Sequence, residues 1–253
     1  MAAIPLLCLV AYTIVSAIVG VRLIARSRES HGVPELLMGL SYVTAPALGY
    51  PMAIVSAMLT NRAIAVPTYV VGEVLLVFGC CCFLFFTVKV FRPGAQWAIW
   101  SAAVGSAILV WSGYGITHAF LSTANSEESA ALARTPLGVM VLVLMLSYVW
   151  TALEGMRYYR MMRKRMALGL ADPVVTNRFF LWGCSGLTSL MWISVSAYFL
   201  STGGNIGRDP IPVTCTSAGG VLNTIFLVLI FMPPHAYTRW IGRSARGGAL
   251  AAV

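Results

Sequence analysis

The chain has 253 residues, of which 59% are hydrophobic and only 10% charged, against roughly a quarter charged in an average soluble protein. A soluble fold of this length could not cover its surface with so few charges. The net charge of +9 lies between apolar stretches rather than on a basic and aromatic stripe, which argues against nucleic acid and for anionic lipid headgroups as its partner.

A helix needs about 20 mostly apolar residues to cross the hydrocarbon core. Seven windows qualify, at about 4–24, 35–58, 66–88, 96–119, 137–158, 178–200 and 213–232. The first, in MAAIPLLCLVAYTIVSAIVG, has no basic residue ahead of its apolar run, and the first cation is Arg22. That order predicts a retained helix rather than a cleaved signal peptide. The second opens on Pro34-Glu35, a proline suited to a first turn and a carboxylate suited to the positive end of the helix dipole, and Pro46 is placed to kink it. The third carries Glu73 and the run Cys80, Cys81, Cys82. The fourth has Trp97, Ser101, Val104, Ile108, Trp111, Gly115 and His118 on one face. The fifth runs on as EGMRYYRMMRKRMALG, with Gly169 as its C-cap, and is expected to project about two turns beyond the bilayer. Asp172-Pro173 reads as the N-cap and first-turn pair of the sixth, so a basic hairpin forms there. The sixth repeats Trp182, Ser185, Ser189, Trp192 and Ser196 along one face. In the seventh, Asn223 follows Gly219-Gly220 and is expected to bond to a neighbouring helix.

Lysine and arginine set the orientation. One set of flanks carries Arg22, Arg26, Arg28, Lys89, Arg92, Arg157, Arg160, Arg163, Lys164, Arg165, Arg178, Arg239, Arg243 and Arg246; the opposite set carries Arg62, Arg134 and Arg208. The asymmetry predicts an all-α integral membrane protein, a single seven-transmembrane-helix domain over residues 1–253, with its N-terminus outside and its C-terminus cytoplasmic. Short connections and the absence of eukaryotic targeting signals suggest a bacterial cytoplasmic (inner) membrane.

Glu73 is the residue most in need of an explanation. It lies about seven residues into the third window, roughly 10 Å below the outer surface at 1.5 Å per residue. An intramembrane carboxylate is costly, so it should face the bundle interior or carry a proton. His118 falls at a comparable level, and Tyr50, Tyr69, Tyr114 and Tyr198 also map to the outer half. Together they make a candidate ligand pocket open to the outside; the bland alternative is a polar network that fixes helix packing. Glu154, three residues before Arg157, is expected to form an i,i+3 ion pair. The Trp and Ser stripes read first as packing faces. Three successive cysteines diverge by about 100° each and cannot share a metal. Free buried thiols are the default for all six cysteines, with a Cys8–Cys215 disulfide as the less favoured alternative.

Several functions are disfavoured. A retinal pigment needs a mid-helix lysine, and the only lysines are Lys89 and Lys164. Bis-His haem needs two histidines at matching depth, which His31, His118 and His235 do not provide. There is no H-E-x-x-H, G-x-S-x-G or P-loop, so no catalytic residue, metal or cofactor is nominated. The seven-helix arrangement resembles the membrane input modules of bacterial sensors, in architecture and not in any specific motif, without the kinase, cyclase or phosphodiesterase domain such modules feed. The resemblance implies a sensor- or receptor-like protein that binds a small or lipid-like ligand in the outer half. Its hairpin, through Arg157, Arg160, Arg163, Lys164, Arg165, Asp172 and Arg178, would contact a cytoplasmic or membrane protein partner. A non-catalytic accessory subunit of a larger membrane complex and a proton-coupled small-solute transporter are the alternatives.

Overall fold

The computed structural model describes residues 3–122, 126–202 and 210–250. Arg208, one of the cations expected on the outer flanks, lies outside the described residues, as do the side chains of Arg243 and Arg246. The regular elements are all helical: α1 (Ala3–Ser30), α2 (Val33–Tyr42), a π-helical segment (Val43–Gly49), α3 (Tyr50–Met58), α4 (Arg62–Phe91), α5 (Gln96–Ser122), α6 (Ser126–Ala167), α7 (Pro173–Ser201), α8 (Pro210–Phe231) and α9 (His235–Leu250).

The seven apolar windows fall on α1, the α2–α3 unit, and α4 to α8. Among the described residues six spans are long and apolar enough to cross a membrane: α1, α2–α3, α4, α5, α6 and α7. The α8–α9 pair, bent by 74°, makes a seventh if taken as one. Successive spans pack on one another, and α8 returns to α1, so the spans close into a ring.

The distribution of side chains fits an apolar solvent. Large aliphatic residues such as Leu7, Val74, Leu146 and Leu153 point outward, while Ser16, Thr87, Ser112, Thr151 and Thr176 are buried. Lipid is as apolar as leucine, so the helices associate through close packing and interhelical polar contacts. Thr87 and Thr151 bring their hydroxyls to 3.4 Å between α4 and α6. Ser185 donates to Asn223 Oδ1 at 2.8 Å, and Asn223 Nδ2 donates to Ser189 Oγ at 3.1 Å. The stripe on α7 therefore faces α8, with Trp182 edge-on to Phe231. The stripe on α5 lies along the α6 seam and is partly exposed, with Trp97 stacked on Trp150.

Two departures from the sequence expectation have local causes. Pro46 has no N–H to give and its ring crowds the preceding turn. The helix responds by widening, so that Tyr50 N–H bonds to the Ala45 carbonyl five residues back, and the Thr13 hydroxyl donates to the Pro46 carbonyl at 3.5 Å. The second span is thus continuous through Pro46, with a π segment at the proline that the sequence did not indicate. On α6, the helix begins at Ser126, about three turns ahead of the expected window. At 42 residues it would measure about 63 Å at 1.5 Å per residue, about twice the thickness of a hydrocarbon core.

The π segment and α3 are held close to α4 by small residues. A Cβ on Gly49 would stand 2.8 Å from the Gly72 carbonyl oxygen, and one on Gly72 would stand 3.0 Å from the Gly49 oxygen. This contact fixes the turn of α4 that presents Glu73.

Candidate functional site

Along α4, the positions Val70, Glu73, Val74, Val77, Phe78 and Cys81 recur at three- and four-residue steps and so share one face. On α5, Val110, Gly113, Tyr114 and Thr117 do the same. These two faces line a cavity of about 490 Å³ between the helices. Val74, Phe78, Val110 and Tyr114 are exposed on the outer surface of the bundle, so the cavity is a groove that opens sideways between the two helices. The sequence had suggested a pocket open to the outside water.

Glu73 is the acid of this groove. Its residue is 7% exposed, and its Oε1 is buried with no hydrogen-bond partner. Gly72 seats the backbone of this turn against α3, and Gly113 leaves the facing wall open: a Cβ there would stand 3.5 Å from Oε1. An isolated ionised carboxylate in apolar surroundings is strongly disfavoured. The group therefore holds a proton or meets a cation or donor that the described residues do not supply.

The other expected pocket residues divide. Tyr114 lines the groove with Glu73. His118 is one turn further along α5, exposed, with its ring 6.1 Å from that of Tyr114, at the end of the groove rather than in it. Tyr69 is one turn before Glu73 and stacks on Phe120 at 4.3 Å, where it joins α4 to α5. Tyr50 begins α3, and Tyr198 is exposed on α7, a helix that packs on α6, α8 and α9; neither lines the groove. Gly113, Thr117, Val110 and Phe78 belong to the site and were not singled out from sequence, and Cys81 was read there only as a buried thiol. Their helical spacing was visible, but a spacing does not say which two faces meet.

At the other end of α4, Arg92 Nε lies 2.5 Å from Glu154 Oε1, while Arg157 stands 4.0 Å from Oε2. The expected i,i+3 pair is thus secondary to a bond from α4 to α6. Tyr158 reinforces it by donating to the Phe91 carbonyl at 3.1 Å, and Arg92 lies over the Trp97 ring at 5.7 Å.

The chain matches no protein-family model, no curated protein and no solved structure. The site's chemistry rests on its own residues.

The basic hairpin forms as its end signals suggest. Gly169 adopts φ +71°; its N–H bonds to Met166 O at 3.0 Å, and Leu170 N–H reaches back to Arg165 O at 2.9 Å, the paired bonds of a left-handed helix cap. Asp172 Oδ1 accepts from Val174 N at 2.7 Å and Val175 N at 3.1 Å. Arg157, Arg160, Arg163, Lys164 and Arg165 are exposed on the last turns of α6, with Arg163 over the Tyr159 ring at 5.9 Å. Arg178 is half-buried. Asp172 holds its own helix end, so the hairpin presents a cationic surface.

The six cysteines are free thiols. Cys81 lines the groove, and its Sγ lies 3.9 Å from the Ser106 carbonyl. Among the described residues no three His, Cys, Asp or Glu side chains gather closely enough to hold a metal ion.

Proposed function

We propose that the chain is a seven-span sensor- or receptor-like protein of a bacterial cytoplasmic membrane, N-terminus outside, that takes a lipid-like ligand from the bilayer into the α4–α5 groove. The observation that carries this reading is a buried, unpartnered carboxyl oxygen on the wall of an otherwise apolar cavity. Apolar lining with a few placed polar groups is the ordinary chemistry of a small-molecule site. The sideways opening supports entry from lipid, and Glu73, Tyr114 and Thr117 are the polar groups that would fix the ligand's orientation.

The exposed cations of the α6 extension support the orientation, because a basic surface belongs on the cytoplasmic side. They also supply a surface for an acidic partner there. A ligand that binds one packing of α4 against α5 better than another shifts the balance between them, and α4 carries that shift to the Arg92–Glu154 contact at its far end.

The test is cross-linking with a diazirine-bearing fatty acyl probe in reconstituted bilayers. The expected adducts lie on α4 and α5 at groove positions and disappear in Val110→Trp, which fills the cavity from an exposed position. Adducts spread evenly over all outward faces, unchanged by Val110→Trp, would contradict the reading.

A further inference from the structure

The same groove limits the charge of what it holds. Glu73 is more than nine-tenths buried, Oε1 is unpartnered, and the groove contains no cationic side chain. The titratable groups around it are phenols and thiols: Tyr69, Cys80 and Cys81 on α4 and Tyr114 on α5. Farther off are His118 on α5, exposed, and Tyr50 on α3. The π segment carries no titratable group. Glu35 of α2 belongs to the opposite end of the bundle. Arg134 and Glu128 of α6 are exposed near that helix's start. Arg62 is eleven residues along α4 from Glu73, about 17 Å at 1.5 Å per residue. Arg92 is farther still, in the opposite direction, and is paired with Glu154.

With no counter-ion among the described residues, burial in these apolar surroundings favours Glu73 as the neutral acid until a cation compensates its charge. A neutral hydrogen-bond donor would leave an ionised carboxylate uncompensated. A cation would compensate it, and the Phe78 and Tyr114 rings among the lining residues offer the aromatic faces that attract organic cations. The Val70, Val74, Val77 and Val110 side chains accommodate hydrocarbon.

We infer that the groove is an exchange site at which an amphiphilic organic cation, a hydrocarbon chain ending in an ammonium group, displaces the proton of Glu73. This rests on the ligand-binding reading above and specifies the ligand's class. The exchange balances: the Glu73 carboxyl releases one proton to water, and the carboxylate so formed is neutralised by one bound ammonium. By linkage, the cation's affinity rises with pH, by about tenfold per unit, for as long as the empty site is protonated.

The experiment uses the full chain in nanodiscs, with decyltrimethylammonium and its uncharged isostere in which carbon replaces nitrogen. Proton release is read in weakly buffered solution against empty nanodiscs. The expected result is saturable cation binding with about one proton released per cation bound. Glu73→Gln should release none and bind the cation about thirtyfold more weakly or worse, while still binding the isostere. Val110→Trp should bind neither. Equal binding of both probes without proton release would overturn the exchange and leave the groove reading standing. Binding of neither probe would overturn both. Binding that survives Val110→Trp would place the site elsewhere and overturn the assignment.

Discussion

Glu73 and Gly113 face one another across the α4–α5 seam, and the glycine is there because Val77 leaves no room for more. A Cβ on Gly113 would stand 2.7 Å from Val77 Cγ2, and valine is stiff about χ1. Gly113→Ala is therefore expected to destabilise the bundle by about 1–3 kcal/mol through overpacking. Gly138 on α6 has open space where its Cβ would be, so Gly138→Ala should be neutral or stabilise by up to about 1 kcal/mol. Thermal unfolding of the two variants side by side measures the difference; equal melting temperatures would contradict the packing described here.

Arg92 and Glu154 join α4 to α6 through one charge-assisted bond. Removing one partner of a buried pair costs roughly 3–5 kcal/mol. The Arg92 side chain is 31% exposed and Arg157 stays near Glu154, so Arg92→Ala should cost less, about 1–3 kcal/mol. Arg92→Met combined with Glu154→Gln should recover much of that, because no lone buried charge is left. Denaturant unfolding of Arg92→Met, Glu154→Gln and their combination closes the cycle. Additive effects would show that the two groups are not coupled.

The hairpin between α6 and α7 is held by its two caps. Asp172→Ala removes an acceptor for two backbone N–H groups and should cost about 1 kcal/mol locally. Gly169→Ala forces a side chain into a left-handed conformation and should cost about 1–2 kcal/mol. Both should speed amide exchange over residues 166–176 and leave α4 and α5 unchanged. Exchange that accelerates throughout the bundle would mean the hairpin supports more than itself.

What the sequence made legible was local. Gly169 and Asp172 were readable because a helix cap is written within a few residues, and Asn223 because a polar side chain in an apolar helix must find a partner. The positions of the spans followed from apolar length alone. The partner of Glu154 was not readable: Arg92 is 62 residues away in sequence, and Arg157 was the nearer candidate. The start of α6 was hidden because Ser126–Thr135 is polar and Pro136 resembles a first-turn proline. The groove was hidden for a third reason. Its faces on α4 and α5 are each periodic, but whether they enclose a water-filled pocket or open toward lipid depends on how closely α4 and α5 approach, which Gly113 and Val77 decide together.

Orientation carries its own prediction. Single cysteines placed at Gly94 and Gly169 on a cysteine-free background should react with a membrane-impermeant maleimide only from the cytoplasmic side, and one at Thr60 only from outside. Labelling of all three from one side would remove the depth assigned to Glu73.

The account depends most on Glu73 presenting a protonated carboxyl to lipid rather than to water. Dicyclohexylcarbodiimide reaches carboxyls through the hydrocarbon phase: the acid proton passes to the reagent, the carboxylate adds to its central carbon, and the adduct rearranges to a stable acylurea. In native membranes, mass spectrometry should find this modification on Glu73, and a water-soluble, permanently charged carbodiimide should leave the residue untouched. Modification by the charged reagent alone, or by neither, would contradict a lipid-facing groove with an acid on its wall.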